Sequence, residues 1–232
     1  QIGEYLSGRG SAGWSVGSPL GKVDLAAADE KYLDVVSHVC ELARELGTDK
    51  VRAFSFFHAY GERNRVLDVC NAMAERAAAL GVTLYHENEK EIYGDTAARV
   101  RELMAGLSGW KFVYDPANFI QVGERAEDTL PLAAKCDYFH IKDVVAATGE
   151  LVPAGYGDGD IAGLIGYAKA DTVLTVEPHL ALFEGYAGID HSEMKHKFVY
   201  HSRGEAFDAA VGAIKGVLEQ CGYRACGEGY VR

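Results

Sequence analysis

The chain has 232 residues, a length that suits one large α/β unit or at most two small domains, and 48% of them are hydrophobic, enough for a core without disulfides or structural metal. Its 23 Lys and Arg against 34 Asp and Glu give a formal charge of −11, which repels phosphate backbones and anionic membranes and sets both aside as partners. No run approaches the ~18 consecutive apolar residues of a membrane span, and five scattered cysteines (40, 70, 136, 221 and 226) suit a reducing cytosol better than a disulfide framework.

In chain order, Gly13 to Gly17 reads as a short strand that runs into the turn Ser18-Pro-Leu-Gly-Lys22. Apolar residues at Leu33, Val36, Val39, Cys40, Ala43 and Leu46 trace one helix face, and Gly47 closes it. Val51 to Phe57 is then a strand. Arg65 to Leu80 repeats the helical spacing, Gly81 stops it, and Val82 to His86 is the next strand. Asp95 is the expected N-cap of a helix over 96–107, followed by the strand Lys111 to Tyr114. Helices over 124–135 and 161–169 precede the strands Tyr138 to Ile141 and Thr172 to Val176, and a last helix covers 205–220. Residues 221–232 read as a loose tail behind a single domain over 1–232. Alternating strands and helices with short connections predict parallel strands joined by right-handed crossovers.

Four of the apolar runs end in Glu87, Asp115, His140 and Glu177, at intervals of 28, 25 and 37 residues. Each interval is about one βα unit, so the four side chains are expected at equivalent C-terminal strand ends. An open sheet would spread them by roughly 4.8 Å per strand, whereas a closed (β/α)8 barrel brings such ends to one mouth. Three carboxylates and one imidazole suit Mn²⁺, Mg²⁺ or Co²⁺ and are tolerable for Zn²⁺.

Glu87-Asn-Glu89, Asp115-Pro-Ala-Asn118, His140-Ile-Lys-Asp143 and Val176-Glu-Pro-His179, in this order and spacing, resemble the xylose isomerase-like TIM barrels that include the sugar phosphate isomerases and epimerases. The similarity runs from about Trp14 to about Ala210. It implies that Glu87, Asp115, His140 and Glu177 bind one divalent metal (Mn, Co, Mg or Zn). It also implies that Glu87 and Glu177 flank a carbohydrate substrate as acid and base, with α-proton abstraction passing through a metal-stabilised enediolate. Asn118, Lys142, His179, Glu89 and Phe57 are the candidates for binding substrate. Better-characterised epimerases of this kind often carry His at the position of Asn118, and an amide can donate a hydrogen bond but cannot shuttle a proton. The resemblance begins near a third barrel strand, so the expected architecture is a barrel lacking its first one or two βα units in the sequence as given. A cytoplasmic enzyme that self-associates is expected from such folds.

Other readings share the fold. Abasic-site nucleases of the superfamily resemble this chain, but they bring a basic surface and a His-rich zinc cluster that a charge of −11 and one strand-end His do not match. A lyase or dehydratase would begin with the same proton abstraction. A sugar-binding or assembly barrel without turnover is the non-enzyme alternative. Of the remaining motifs, His86 alternates with Glu87 and is expected to pack away from the site, as are Phe54 and Phe56. Gly155-Tyr-Gly-Asp-Gly159 is a candidate lid loop.

Overall fold

The structure is a computed structural model that describes residues 2–10, 13–177, 179–180, 198, 200–227 and 229–232. The chain falls into two compact units, Gln1–Val113 and Tyr114–Arg232.

In the first unit a short helix, α1 (Ile2–Ser7), precedes four parallel strands in the order β1 (Val16–Gly17), β2 (Lys50–Ala53), β3 (Thr83–Glu87) and β4 (Lys111–Tyr114). The register runs Val16↔Val51, Val51↔Leu84 and Glu87↔Val113. Helices α2 (Glu30–Glu45), α3 (Arg63–Ala79) and α4 (Ala97–Gly106) connect them. The predicted helix faces are the buried ones: Val36, Cys40 and Ala43 on α2, and Val66, Cys70, Met73 and Ala77 on α3. Each fully buried aliphatic side chain stabilises the unit by about 1.5–3 kcal/mol.

Two boundaries in this unit differ from the sequence reading. The strand expected over 51–57 ends at Ala53, because Phe56 takes a left-handed backbone (φ 70°). Residues 54–57 are instead tied to the Leu20–Val23 segment, with the amides of Phe54, Phe56 and Phe57 donating to the carbonyls of Leu20, Gly21 and Val23. The N-cap of α4 is Thr96, not Asp95. Thr96 is the last extended residue and its side chain accepts from the Arg99 amide, while Asp95 is drawn sideways to the Arg99 guanidinium (Oδ1 to Nε 2.8 Å).

In the second unit, helices α5 (Pro116–Gln121) and α6 (Ala126–Thr129) lead through a 3-10 segment, Leu130–Lys135, to β5 (Tyr138–Ile141). The helix expected over 124–135 is thus broken, and Pro131 is the cause, since it cannot donate within a continuing helix. An antiparallel hairpin, β6 (Asp143–Val145) with β7 (Glu150–Val152), follows directly on β5. The helix α7 (Ile161–Ile165) stops four residues short of expectation, at Gly166. The strand β8 (Val173–Val176) pairs in parallel with β5, Tyr138 opposite Val173 and Ile141 opposite Val176. The long helix α8 (Arg203–Gln220), capped by Ser202, buries Ala206, Ala210, Ile214, Val217 and Leu218. Residues 224–226 (β9) and 229–231 (β10) form a small antiparallel hairpin.

All five cysteines are free; Cys40, Cys70 and Cys136 are buried. Burial pushes all three thiols up, Cys40 to about 11 and Cys136 to about 12. Among the described residues, no helix is long and apolar enough to cross a membrane.

Candidate metal and substrate site

The second unit brings together most of the expected site. Asp115 follows β4 and caps α5: its Oδ1 accepts from the Asn118 amide at 3.0 Å. The local sequence requires this, because Asp-Pro places a good N-cap before a residue that has no amide to satisfy. His140, on β5, sets its Nδ1 3.4 Å from Glu177 Oε1 and 3.9 Å from Asp115 Oδ2. Its ring packs edge-on against Tyr138, 4.9 Å between centroids. Glu177 follows β8 and its amide donates to the Ile141 carbonyl, which extends the β5–β8 ladder by one residue and fixes where the carboxylate starts. Asp115, His140 and Glu177 each offer a ligand atom within 4.8 Å of the others. Asp115 and His140 are fully buried and Glu177 is 22% exposed. An oxygen-rich, largely dry set with one imidazole fits a hard or borderline divalent ion.

Lys142 lies two residues beyond His140 and so on the same side, as expected. It is buried, with its Nζ 3.0 Å from Asp115 Oδ2 and 2.8 Å from Asn118 Oδ1. His179 stands 4.0 Å from Glu177 through Nε2 and holds a left-handed backbone (φ 43°), a strained conformation of the kind that clusters at functional sites.

Glu87, Glu89 and Phe57 belong to the first unit. Glu87 is the last residue of β3 and is buried; its Oε2 lies 3.1 Å from the Arg52 guanidinium. Glu89 pairs with Lys22 at 3.1 Å. Phe57 is half-buried and bridges the backbones of Asp24 and Ile92. His86 packs away from Glu87 as expected, fully buried between Trp110 and Phe112, with its Nε2 2.9 Å from Ser55 Oγ. Desolvation holds its imidazole down at about 3, with the nearby Glu87 carboxylate opposing, so it is neutral throughout the physiological range. Phe54 and Phe56 are core residues, as predicted.

Two residues of this region escaped the sequence reading. Arg52 could have been found as the one charged residue inside an otherwise apolar strand run. Asp143 closes the His140-Ile-Lys-Asp143 motif, and nothing local in the sequence marks its role. Its buried carboxylate accepts four backbone N–H groups, those of Val144 and Gly159 on Oδ1 and those of Gly155 and Gly157 on Oδ2, at 2.9–3.0 Å. The glycines are what let the loop wrap it: a Cβ on Gly157 would stand 2.4 Å from Asp143 Oδ1 and 2.6 Å from the Val144 carbonyl oxygen. Burial raises the Asp143 carboxyl and these donors pull it back down, leaving a net upward shift.

The fold is shared with solved structures at low identity. An L-ribulose 3-epimerase superposes with a TM-score of 0.71 at 20% identity, covering 95% of this chain and 79% of that one. A fusion of a xylose isomerase-like TIM barrel with a 4-hydroxyphenylpyruvate dioxygenase gives 0.70 at 17%, covering 95% of this chain, which spans only 36% of the fusion. An IOLI protein with a bound zinc atom gives 0.69 at 18%, with 94% and 81% covered. No curated protein matches significantly. Residues 2–188 match the family model of the xylose isomerase-like TIM barrels, so with its parallel βα units this chain belongs to that (β/α)8 family.

Proposed function

We propose that this chain is a divalent-metal-dependent isomerase or epimerase of sugars or sugar phosphates. The observation that carries the reading is the convergence of Asp115, His140 and Glu177 within 4.8 Å, each delivered by a different strand, β4, β5 and β8. With Glu87 as the fourth member, these residues would hold one Mn, Co, Mg or Zn ion. When bound, such an ion polarises a carbonyl and its neighbouring hydroxyl and makes the adjacent C–H more acidic.

The chain's own residues do the rest. A carboxylate within hydrogen-bond reach removes the proton from the carbon next to the carbonyl, a contribution of about 10²- to 10⁴-fold. Glu87 and Glu177 are the pair for this work. In epimerisation one takes the proton and the other returns it to the opposite face; return to the neighbouring carbon gives aldose–ketose isomerisation. Arg52 steadies the Glu87 carboxylate through its charge-assisted contact. Asn118, Lys142, His179, Glu89 and Phe57 are proposed to shape the substrate-binding surface. The solved epimerase in the same fold supports a keto-sugar as the first substrate to test.

The test has two arms. Metal content by mass spectrometry is expected to give about one divalent ion per chain in the parent and none in Asp115→Ala. Incubation of the metal-loaded protein with L-ribulose and other keto-sugars in D₂O is expected to place solvent deuterium on carbon. A parent that retains no metal after soaking would sink the reading. Loss of water from the substrate in place of exchange would make the protein a lyase.

A further inference from the structure

The helix that Asp115 caps, α5, is only six residues long, well short of the roughly 12–15 residues at which a helix begins to hold itself in water. Its cap is one hydrogen bond, from the Asn118 backbone amide to Asp115 Oδ1 at 3.0 Å, so packing has to supply the rest. Ala117 and Ile120, spaced to share a helix face, form a buried apolar cluster with Val144 and Leu151. Those two stand directly opposite each other on the two strands of the β6–β7 hairpin, and so on one face of it. Both are buried, at 0% and 2% exposure. The hairpin is anchored a second time at its root. Lys142 alone separates β6 from the end of β5, the strand that carries His140. One hairpin is therefore rooted in the strand that delivers His140 and packed against the helix whose cap is Asp115. The two side chains meet at 3.9 Å, His140 Nδ1 to Asp115 Oδ2.

From this arrangement we infer that the β6–β7 hairpin is a brace that sets the Asp115 carboxylate against His140, with Leu151 as its positioning residue. Leu151 acts at a distance, through Ala117, Ile120 and the first turn of α5, and the path is the apolar seam between hairpin and helix. Such coupling is reciprocal: whatever factor the seam adds to the affinity of the Asp115 site for a divalent ion, the ion returns as protection of the hairpin. The inference rests on the proposed metal site and names what holds two of its ligands in place. Its structural half can be read in protein that holds no metal.

Leu151→Ala is tested against Leu164→Ala, a fully buried leucine of α7 outside the seam, so that both variants open a cavity of the same kind. In metal-free protein, exchange of the Asn118 backbone amide, followed by ¹⁵N–¹H NMR, is expected to be about 10-fold faster in Leu151→Ala than in Leu164→Ala, because the cap opens with the hairpin. By calorimetry the Mn²⁺ Kd is expected to weaken about 10-fold in Leu151→Ala, within the usual range of coupling between sites, and to stay within about 2-fold of the parent in Leu164→Ala. Saturating Mg²⁺ is expected to slow exchange over residues 143–152 of the parent about 10-fold by mass spectrometry, as reciprocity requires. Leu151→Val, which leaves a smaller cavity, serves if Leu151→Ala does not fold, with about 3-fold in place of each 10-fold change. Equal Asn118 exchange in the two leucine variants would overturn the inference. So would a Leu151→Ala variant that binds Mn²⁺ as the parent does, or exchange over 143–152 that ignores bound Mg²⁺. If the parent takes up no divalent ion, the proposed function has failed, and Asn118 exchange alone decides whether the hairpin braces Asp115.

Discussion

Asp115 and Asp143 are both buried aspartates of the second unit, each directly at a strand boundary, and they are put to opposite uses. Asp143 is wrapped by four backbone N–H groups, three of them from the glycine-rich loop after β7, so its negative charge is absorbed by the architecture. Asp115 gives one oxygen to a helix cap and turns the other toward Lys142 and His140, side chains that can themselves do chemistry. Burial alone therefore says little about role. The partners decide: backbone donors mark a residue that holds the fold, and titratable side chains mark one that serves a site. Asp160 gives a third term, an aspartate at the N-cap of α7 whose Oδ1 accepts from the Gly163 amide at an exposed position.

The largest effect is expected where the architecture depends on the charge. Asp143→Ala strands four donors in a dry loop, and we expect a loss of about 4 kcal/mol in urea unfolding, with metal affinity of the remaining folded protein unchanged. A loss below about 1 kcal/mol would mean that the loop finds other acceptors and that the contrast with Asp115 is false. A buried imidazole tests the same logic from the basic side. His86 titrates at about 3 in the folded chain against an ordinary 6.5, so the unfolded chain binds a proton that the native one refuses. Its contribution is full above pH 6.5 and shrinks as pH falls toward 3. At pH 4 the parent should have lost about 3 kcal/mol from this residue, and His86→Gln, which keeps a partner for Ser55, should show a correspondingly flatter acid limb in thermal melts against pH.

Asp115→Asn sharpens the comparison from the other end. Asn is an equally good cap, so the start of α5 should be kept; the buried Lys142 loses its counter-charge, at a cost of about 3 kcal/mol in urea unfolding, while Mn²⁺ affinity by calorimetry should fall about 100-fold. Unchanged affinity would remove Asp115 from the ligand set. The smallest effect belongs to Asp160→Ala, about 1 kcal/mol, the ordinary value of an exposed cap.

The same contrast explains how far the sequence could be read. Helical faces such as Val66, Cys70, Met73 and Ala77 repeat at regular spacing and the strand ends recur at regular intervals, so the βα units and the Asp115, His140, Glu177 convergence were legible. What was not legible depends on contacts distant in sequence or on backbone alone. The short helix α5 is too brief for periodicity, although Asp115-Pro116 announced its start. The hairpin β6–β7 sits where a helix would carry the crossover. The glycines 155, 157 and 159 look like a mobile loop until Asp143, a dozen or more residues earlier, is seen at their centre. The Arg52–Glu87 and Lys22–Glu89 pairs join positions 35 and 67 residues apart, which no local pattern reveals.

The buried thiols give the molecule a built-in clock. Cys40 and Cys70 lie in the first unit and Cys136 in the second, each shielded and held in the unreactive protonated form. A thiol reagent can therefore reach them only when the structure around them opens. Mass-resolved labelling against time would follow the opening of each unit separately in one tube, without any engineered probe. Equal rates at all three sites would mean that the units unfold together; unequal rates would name the one that yields first.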